Sequence, residues 1–137
     1  MISKVYLIDD DEVCLLSSEY IFTENHYSNG CSVFKDPREA LAAIMQDLKT
    51  GNLPEIILLD LHIPVMSGWE FLEQLKPYEA QLRNKCFLYM LTSSVNEADL
   101  VQAKNYSLVF ELIQKPFTVD KLNQIVRDIV IMKTNYA

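Results

Sequence analysis

The chain has 137 residues, 50% of them hydrophobic, and sets nineteen acids against twelve bases for a formal charge of -7. That is one domain's length with enough apolar content for a proper core, which excludes a disordered chain, and the acidic balance disfavours direct nucleic-acid binding, which needs basic surface to meet phosphates. No apolar run reaches the length of a membrane span, the N-terminal MISKVYLIDDD is no signal peptide, and Cys14, Cys31 and Cys86 are odd in number without CxxC spacing, so they read as small buried apolar residues in a reducing cytoplasm.

Val5-Tyr6-Leu7-Ile8 reads as a first strand that runs into Asp9-Asp10-Asp11. Residues 12–25 carry apolar groups at helical spacing, with Val13, Leu16 and Tyr20 in one row. Asn29-Gly30 marks a turn and Cys31 to Phe34 a short second strand. Asp36-Pro37 has the form of an N-cap followed by proline in the first helical turn, and Ala40, Leu41, Ile44, Met45 and Leu48 supply a helix stripe closed by Gly51. Ile56-Ile57-Leu58-Leu59 is apolar on both alternations, as a strand buried on both faces must be, and it ends on Asp60.

Pro64 and Gly68 then interrupt the chain. Ser67 with Glu70 three residues on predicts a capping box for a helix bearing Trp69, Phe71, Leu72 and Leu75, which Pro77 is expected to end. Cys86 to Leu91 reads as a fourth strand followed by Thr92-Ser93-Ser94. A helix with Ala98, Leu100, Val101 and Ala103 comes next, then a fifth strand from Leu108 to Ile113 that leads into Gln114-Lys115-Pro116. The last helix carries Val119, Leu122, Ile125, Val126, Ile129 and Val130.

Five strands alternating with five helices predict a doubly wound parallel sheet with right-handed crossovers and helices on both faces, in a single domain spanning 1–137. Parallel strands present their carboxyl ends on one edge, where ligands collect in open α/β sheets. Four strands end there in polar groups: Asp9 and Asp10, Asp60, Thr92, and Lys115. Carboxylates brought together repel, so one must hold a proton or a cation must sit among them. Oxygen-only ligands suit Mg²⁺. A metal-neutralised carboxylate can attack phosphorus, and a lysine ammonium and a threonine hydroxyl are the donors that a transferred phosphoryl group needs. Alone, the Asp9-Asp10-Asp11 run would read as a solvated acidic turn or a helix cap. With Asp60, Thr92 and Lys115 at the neighbouring strand ends it reads as part of a site.

The four segments IDDDE, LLDLHIPVMSGWEFL, MLTSS and QKPF, in this order and spacing along the whole chain, resemble the receiver domain of two-component response regulators of the CheY-like type. The resemblance implies a flavodoxin-like five-stranded sheet of order 2-1-3-4-5 and no output domain. It implies that Asp60 accepts a phosphoryl group from a histidine kinase or histidine phosphotransfer protein in a Mg²⁺-dependent reaction. By the same match Asp10 and Asp60 ligate the metal directly, Asp9 helps through water and His62 offers its backbone carbonyl. Thr92 and Lys115 bind the phosphoryl group, and the Lys115-Pro116 bond is cis. Such a protein is a phosphoacceptor rather than a turnover enzyme, and it signals through altered contacts with a downstream protein. The first helix is the expected donor-docking face. The LTSS segment and solitary architecture resemble stand-alone receivers that accompany phytochrome-type or hybrid kinases. The sequence leaves homodimerisation through the last two helices open.

One position departs from the family pattern. Receivers commonly carry Tyr or Phe three residues before the lysine, and its ring turns inward on phosphorylation; here that residue is Leu112. Alternation places Phe110 on the same strand face as Leu112. A phosphatase built on an Asp nucleophile typically has a second acid two residues on, where this chain has His62. A flavin phosphate would be repelled by the acids that end the first strand.

Overall fold

The computed structural model describes residue 2, residues 4–25 and residues 31–136; the Asn29-Gly30 turn lies outside them. Five parallel strands, β1 (Val5–Ile8), β2 (Cys31–Phe34), β3 (Ile56–Asp60), β4 (Phe87–Thr92) and β5 (Val109–Gln114), form one sheet in the order β2-β1-β3-β4-β5. The order is the one that the resemblance implies, and β3 is buried on both faces as its sequence predicts; β1 and β4 are buried on both faces as well.

Alternation along the central strands divides the core into two layers. Tyr6, Ile8, Ile57, Leu59, Leu88 and Met90 face α2 (Pro37–Thr50) and α3 (Gly68–Leu75). Val5, Leu7, Ile56, Leu58, Phe87, Tyr89 and Leu91 face α1 (Glu12–Glu24) and α6 (Val119–Tyr136). Phe22 of α1, Phe71 of α3 and Tyr89 of β4 are among the largest fully buried side chains, so α1 and α3 are fixed to the sheet by bulky apolar contact.

Local chemistry sets the helix ends. Asp11 caps α1 by accepting from the Val13 and Cys14 N–H groups. Asp36 caps α2 with Pro37 in its first turn, and Gly51 closes it at φ 76°, a left-handed conformation that glycine adopts without strain. Ser67 and Glu70 form the reciprocal capping box of α3. Pro77 ends α3 as expected, the α-helix stopping at Leu75. It lies at the start of a 3-10 turn, Lys76–Tyr78, where a missing N–H costs nothing, and a one-turn helix α4 (Glu79–Leu82) follows.

The last crossover is thinly packed. Helix α5 (Glu97–Ala103), capped by Asn96, has no buried residue and leaves Leu100 and Val101 exposed. The β4–β5 register slips between Leu88 and Tyr89, so that Val109 pairs with Leu88 and Glu111 with Tyr89. Phe110 is the extra residue of this bulge. Its ring lies 6.1 Å from Phe87 and 5.4 Å from Tyr89, on the α1/α6 face, while Leu112 packs on the opposite layer. Strict alternation therefore misplaces Phe110: a bulge puts two consecutive residues where a regular strand has one.

Candidate functional site

Asp9 follows β1, Asp60 ends β3, Thr92 ends β4 and Lys115 follows β5, so the parallel sheet delivers all four to its carboxyl edge. Asp9, Asp60 and Thr92 are buried, whereas Asp10 is exposed. Carboxylate oxygens of Asp9, Asp10 and Asp60 lie within 4.8 Å of one another. The Lys115 ammonium donates to Asp9 Oδ2 at 3.0 Å and stands 3.5 Å from Asp60 Oδ1. The Lys115 N–H binds the Thr92 carbonyl at 2.8 Å, which locks the two strand ends together, and the Lys115-Pro116 bond is cis as the resemblance implies.

Backbone contacts fix the acids. The Asp9 N–H donates to Phe34 O at 3.1 Å, and Asp9 Oδ1 accepts from the Asp11 N–H at 2.9 Å. The Leu61 N–H donates to Leu91 O, and the Gly68 N–H to Leu61 O, each at 2.9 Å, so the loop after Asp60 folds back on β4. A Cβ on Gly68 would stand 2.6 Å from Met90 Cε and 3.1 Å from the Leu61 Cα. Glycine lets α3 start close against the backbone that carries Asp60; a side chain there would displace the Met90 methyl and press that backbone by a few tenths of an ångström. The His62 side chain is exposed, and its backbone N–H donates to Asp60 Oδ1 at 3.3 Å.

The electrostatics follow from crowding. Burial and the neighbouring Asp9 charge push the Asp60 carboxyl up to about 6, against the pull of Lys115. For Lys115, burial works to lower the pKa, but the hydrogen bond to Asp9 and the charges of Asp60 and Asp9 carry it above its ordinary value. Asp9 and Asp60 share one ammonium and Asp10 adds a third carboxylate beside them, so the remaining negative charge is what a divalent cation would relieve. An all-oxygen donor set with an exposed member at Asp10 suits a hard ion that keeps part of its water.

The Thr92 hydroxyl donates to Ser94 O at 3.2 Å and accepts from the Ser94 N–H at 3.4 Å. Sequence reasoning had no signal for two further groups on this edge. The Gln114 side-chain amide donates to Ser93 O at 3.4 Å, and the Lys121 ammonium donates to the carbonyls of Gln114 and Pro116 on either side of Lys115. Gln114 stands in the QKPF segment and Lys121 in no motif, and only the fold shows that their side chains meet this loop.

The profile of the response regulator receiver domain family matches residues 5–127. The chain belongs to this family. As a receiver domain it is similar over its whole length to the sporulation initiation phosphotransferase F of Bacillus subtilis (strain 168), at 24% identity over 135 residues covering 98% of this chain and 99% of the relative. Its fold superposes with a TM-score of 0.86 on a two-component response regulator from Cytophaga hutchinsonii, at 26% identity, covering 94% of this chain and 97% of the other. A bacteriophytochrome response regulator is 28% identical with a TM-score of 0.75, over 94% of this chain and 78% of the other. The receiver thus has the CheY-like, flavodoxin-like fold, and its acidic cluster at Asp9, Asp10 and Asp60 is consistent with a Mg²⁺ site.

Proposed function

We propose that this receiver accepts one phosphoryl group on Asp60 from the phosphohistidine of a histidine kinase or phosphotransfer protein. The observation that carries the reading is the convergence of Asp60 with Asp9, Asp10 and the Lys115 ammonium at one sheet edge. Asp9, Asp10 and Asp60, with the His62 carbonyl, would hold a Mg²⁺ ion, which would supply charge neutralisation for the incoming phosphoryl group. A carboxylate oxygen of Asp60 forms the new O–P bond, the N–P bond of the donor breaks, and its electron pair returns to the imidazole. Lys115 and Thr92 bind phosphoryl oxygens, for which both already lie beside Asp60 or at the adjoining strand end. Water later cleaves the acyl phosphate and returns the carboxylate with inorganic phosphate, so the protein is a phosphoacceptor rather than a turnover enzyme.

Donor docking falls on α1. Val13, Leu16 and Tyr20 form a row of exposed apolar side chains, 74%, 61% and 64% accessible, on the helix that begins at the site. An apolar helical face of a phosphotransfer partner fits such a row. Similarity to a phosphotransferase of a sporulation system and to a bacteriophytochrome response regulator supports a histidine-based donor, the phytochrome-type kinases among the candidates. Phosphorylation replaces the carboxylate's single charge by a phosphate of about -1.5 to -2 beside the loops after β3 and β4, and a downstream protein that distinguishes the two loop states reads the signal. A reducing cytoplasm is the compartment that suits this exchange; among the described residues no helix is long and apolar enough to cross a membrane.

Incubation with Mg²⁺ and acetyl phosphate, followed by intact-mass measurement, tests the proposal. One phosphoryl adduct is expected on the wild type, none on Asp60→Ala, and an adduct formed about 100-fold more slowly on Lys115→Met, the loss that follows removal of one charged donor. A wild type that never gains the adduct would instead be an interaction module that has kept the fold.

A further inference from the structure

We propose that Gln114 is a positioning residue, a latch that holds the β4–α5 loop in its resting arrangement and thereby sets how readily Thr92 is released to the phosphoryl group. The inference rests on the phosphoacceptor role proposed above and adds its regulation. In the resting structure the Thr92 hydroxyl proton is already spent on Ser94 O. Donating to a phosphoryl oxygen means giving up that carbonyl, so the loop from Ser93 onward must rearrange. The adjacent carbonyl, Ser93 O, is held across the gap by the Gln114 amide.

Gln114 is a firm anchor for such a latch. Its own carbonyl, and that of Pro116, accept from Lys121 of α6, and the next residue's N–H is bonded to Thr92 O. The loop is otherwise lightly held, because α5, which follows it, buries no residue. Leu112, at the position where an aromatic ring could couple Thr92 to β5, has no polar group. The Gln114–Ser93 bond therefore provides a direct side-chain link from β5 to the loop that must move. It is long and solvent-exposed, as suits a contact to be broken and remade at each phosphorylation cycle.

The probe is Mg²⁺ with beryllofluoride, a phosphoryl mimic, titrated calorimetrically into the full chain. Gln114→Met, which keeps the side-chain length and removes the amide donor, and Gln114→Ala should both bind the mimic about two- to tenfold more tightly than the wild type, the range that one neutral hydrogen bond sets. Their resistance to urea without the mimic should fall by that same factor in the folding equilibrium constant, because the bond that is lost belongs to the unliganded fold alone, and the mimic-bound proteins should be equally stable. In the wild type, the Gln114 side-chain amide cross-peaks should move toward free-glutamine positions when the mimic binds. Equal or weaker mimic binding by Gln114→Met, or amide peaks that stay in place, would overturn the latch while a normal acetyl phosphate adduct left the phosphoacceptor role standing. Absence of adduct and of mimic binding in the wild type would overturn both.

Discussion

At the amino end of the sheet, Asp47 is met by the Tyr6 hydroxyl and, at 3.1 Å, by the Lys4 ammonium, while Glu55 is met by Lys133. At the carboxyl end, Asp9 and Asp60 share the ammonium of Lys115, and Asp10 stands beside them with no ion pair among the described residues. Two acids face two lysines at one end, and three acids face one lysine at the other. The amino-end set comes from α2, α6 and the residues that lead into β1 and β3, and the carboxyl-end set from the ends of β1, β3 and β5. Paired charges at the amino end tie α2 and α6 to the sheet. Unpaired charge at the carboxyl end is held in place by the rest of the molecule, as strain is at functional sites, and is available for a ligand.

Removing one acid from each end should have opposite effects. Asp47→Ala leaves the buried Tyr6 hydroxyl without its acceptor and Lys4 without its counter-charge, and is expected to lower stability in urea by about 2–3 kcal/mol. Asp60→Asn removes a carboxylate that burial and Asp9 disfavour, and is expected to raise the stability of the metal-free protein at neutral pH by about 1–2 kcal/mol. Destabilisation by both substitutions would erase the distinction between the two ends.

The same charge surplus predicts a pH dependence. The Asp60 carboxyl rises from 3.8 to about 6 on folding, so between those values the folded chain holds a proton that the unfolded chain releases. Its stabilising contribution is fully present below about 3.8 and is lost as pH rises through about 6. In the absence of metal, the wild type should therefore gain on Asp60→Asn as pH falls from 7 to 5, by on the order of 1–2 kcal/mol in the stability difference. A pH-independent difference would contradict the crowding at Asp60. The smallest effect is expected at the amino end's outer pair: Lys133 is 57% exposed, and Lys133→Met should cost less than about 1 kcal/mol by thermal melting.

How much of this could be read from the sequence depends on the range of the interaction. The runs Val5–Ile8 and Ile56–Leu59 are legible because burial on both faces writes an unbroken apolar string, and the caps at Asp11, Asp36 and Ser67 are legible because they act within three residues. Asp9, Asp10, Asp60, Thr92 and Lys115 are found because each ends a strand, and a parallel sheet gathers strand ends. The face of Phe110 is not legible, since the bulge beside Leu88 and Tyr89 arises from pairing across strands rather than from the β5 sequence. The amino-end pairs join residues 43 and 78 positions apart, and the Gln114–Ser93 contact spans 21. Nothing in local patterning marks any of them.

Magnesium should act at the crowded end alone, and thermal melting with and without it is the most direct test of that claim. At a concentration tenfold above its dissociation constant, Mg²⁺ should stabilise the wild type by about 1.4 kcal/mol. Asp47→Ala should gain the same amount from a lower baseline, and Asp10→Ala should gain nothing. A wild type indifferent to Mg²⁺, or an Asp10→Ala variant that responds as strongly as the wild type, would contradict the account.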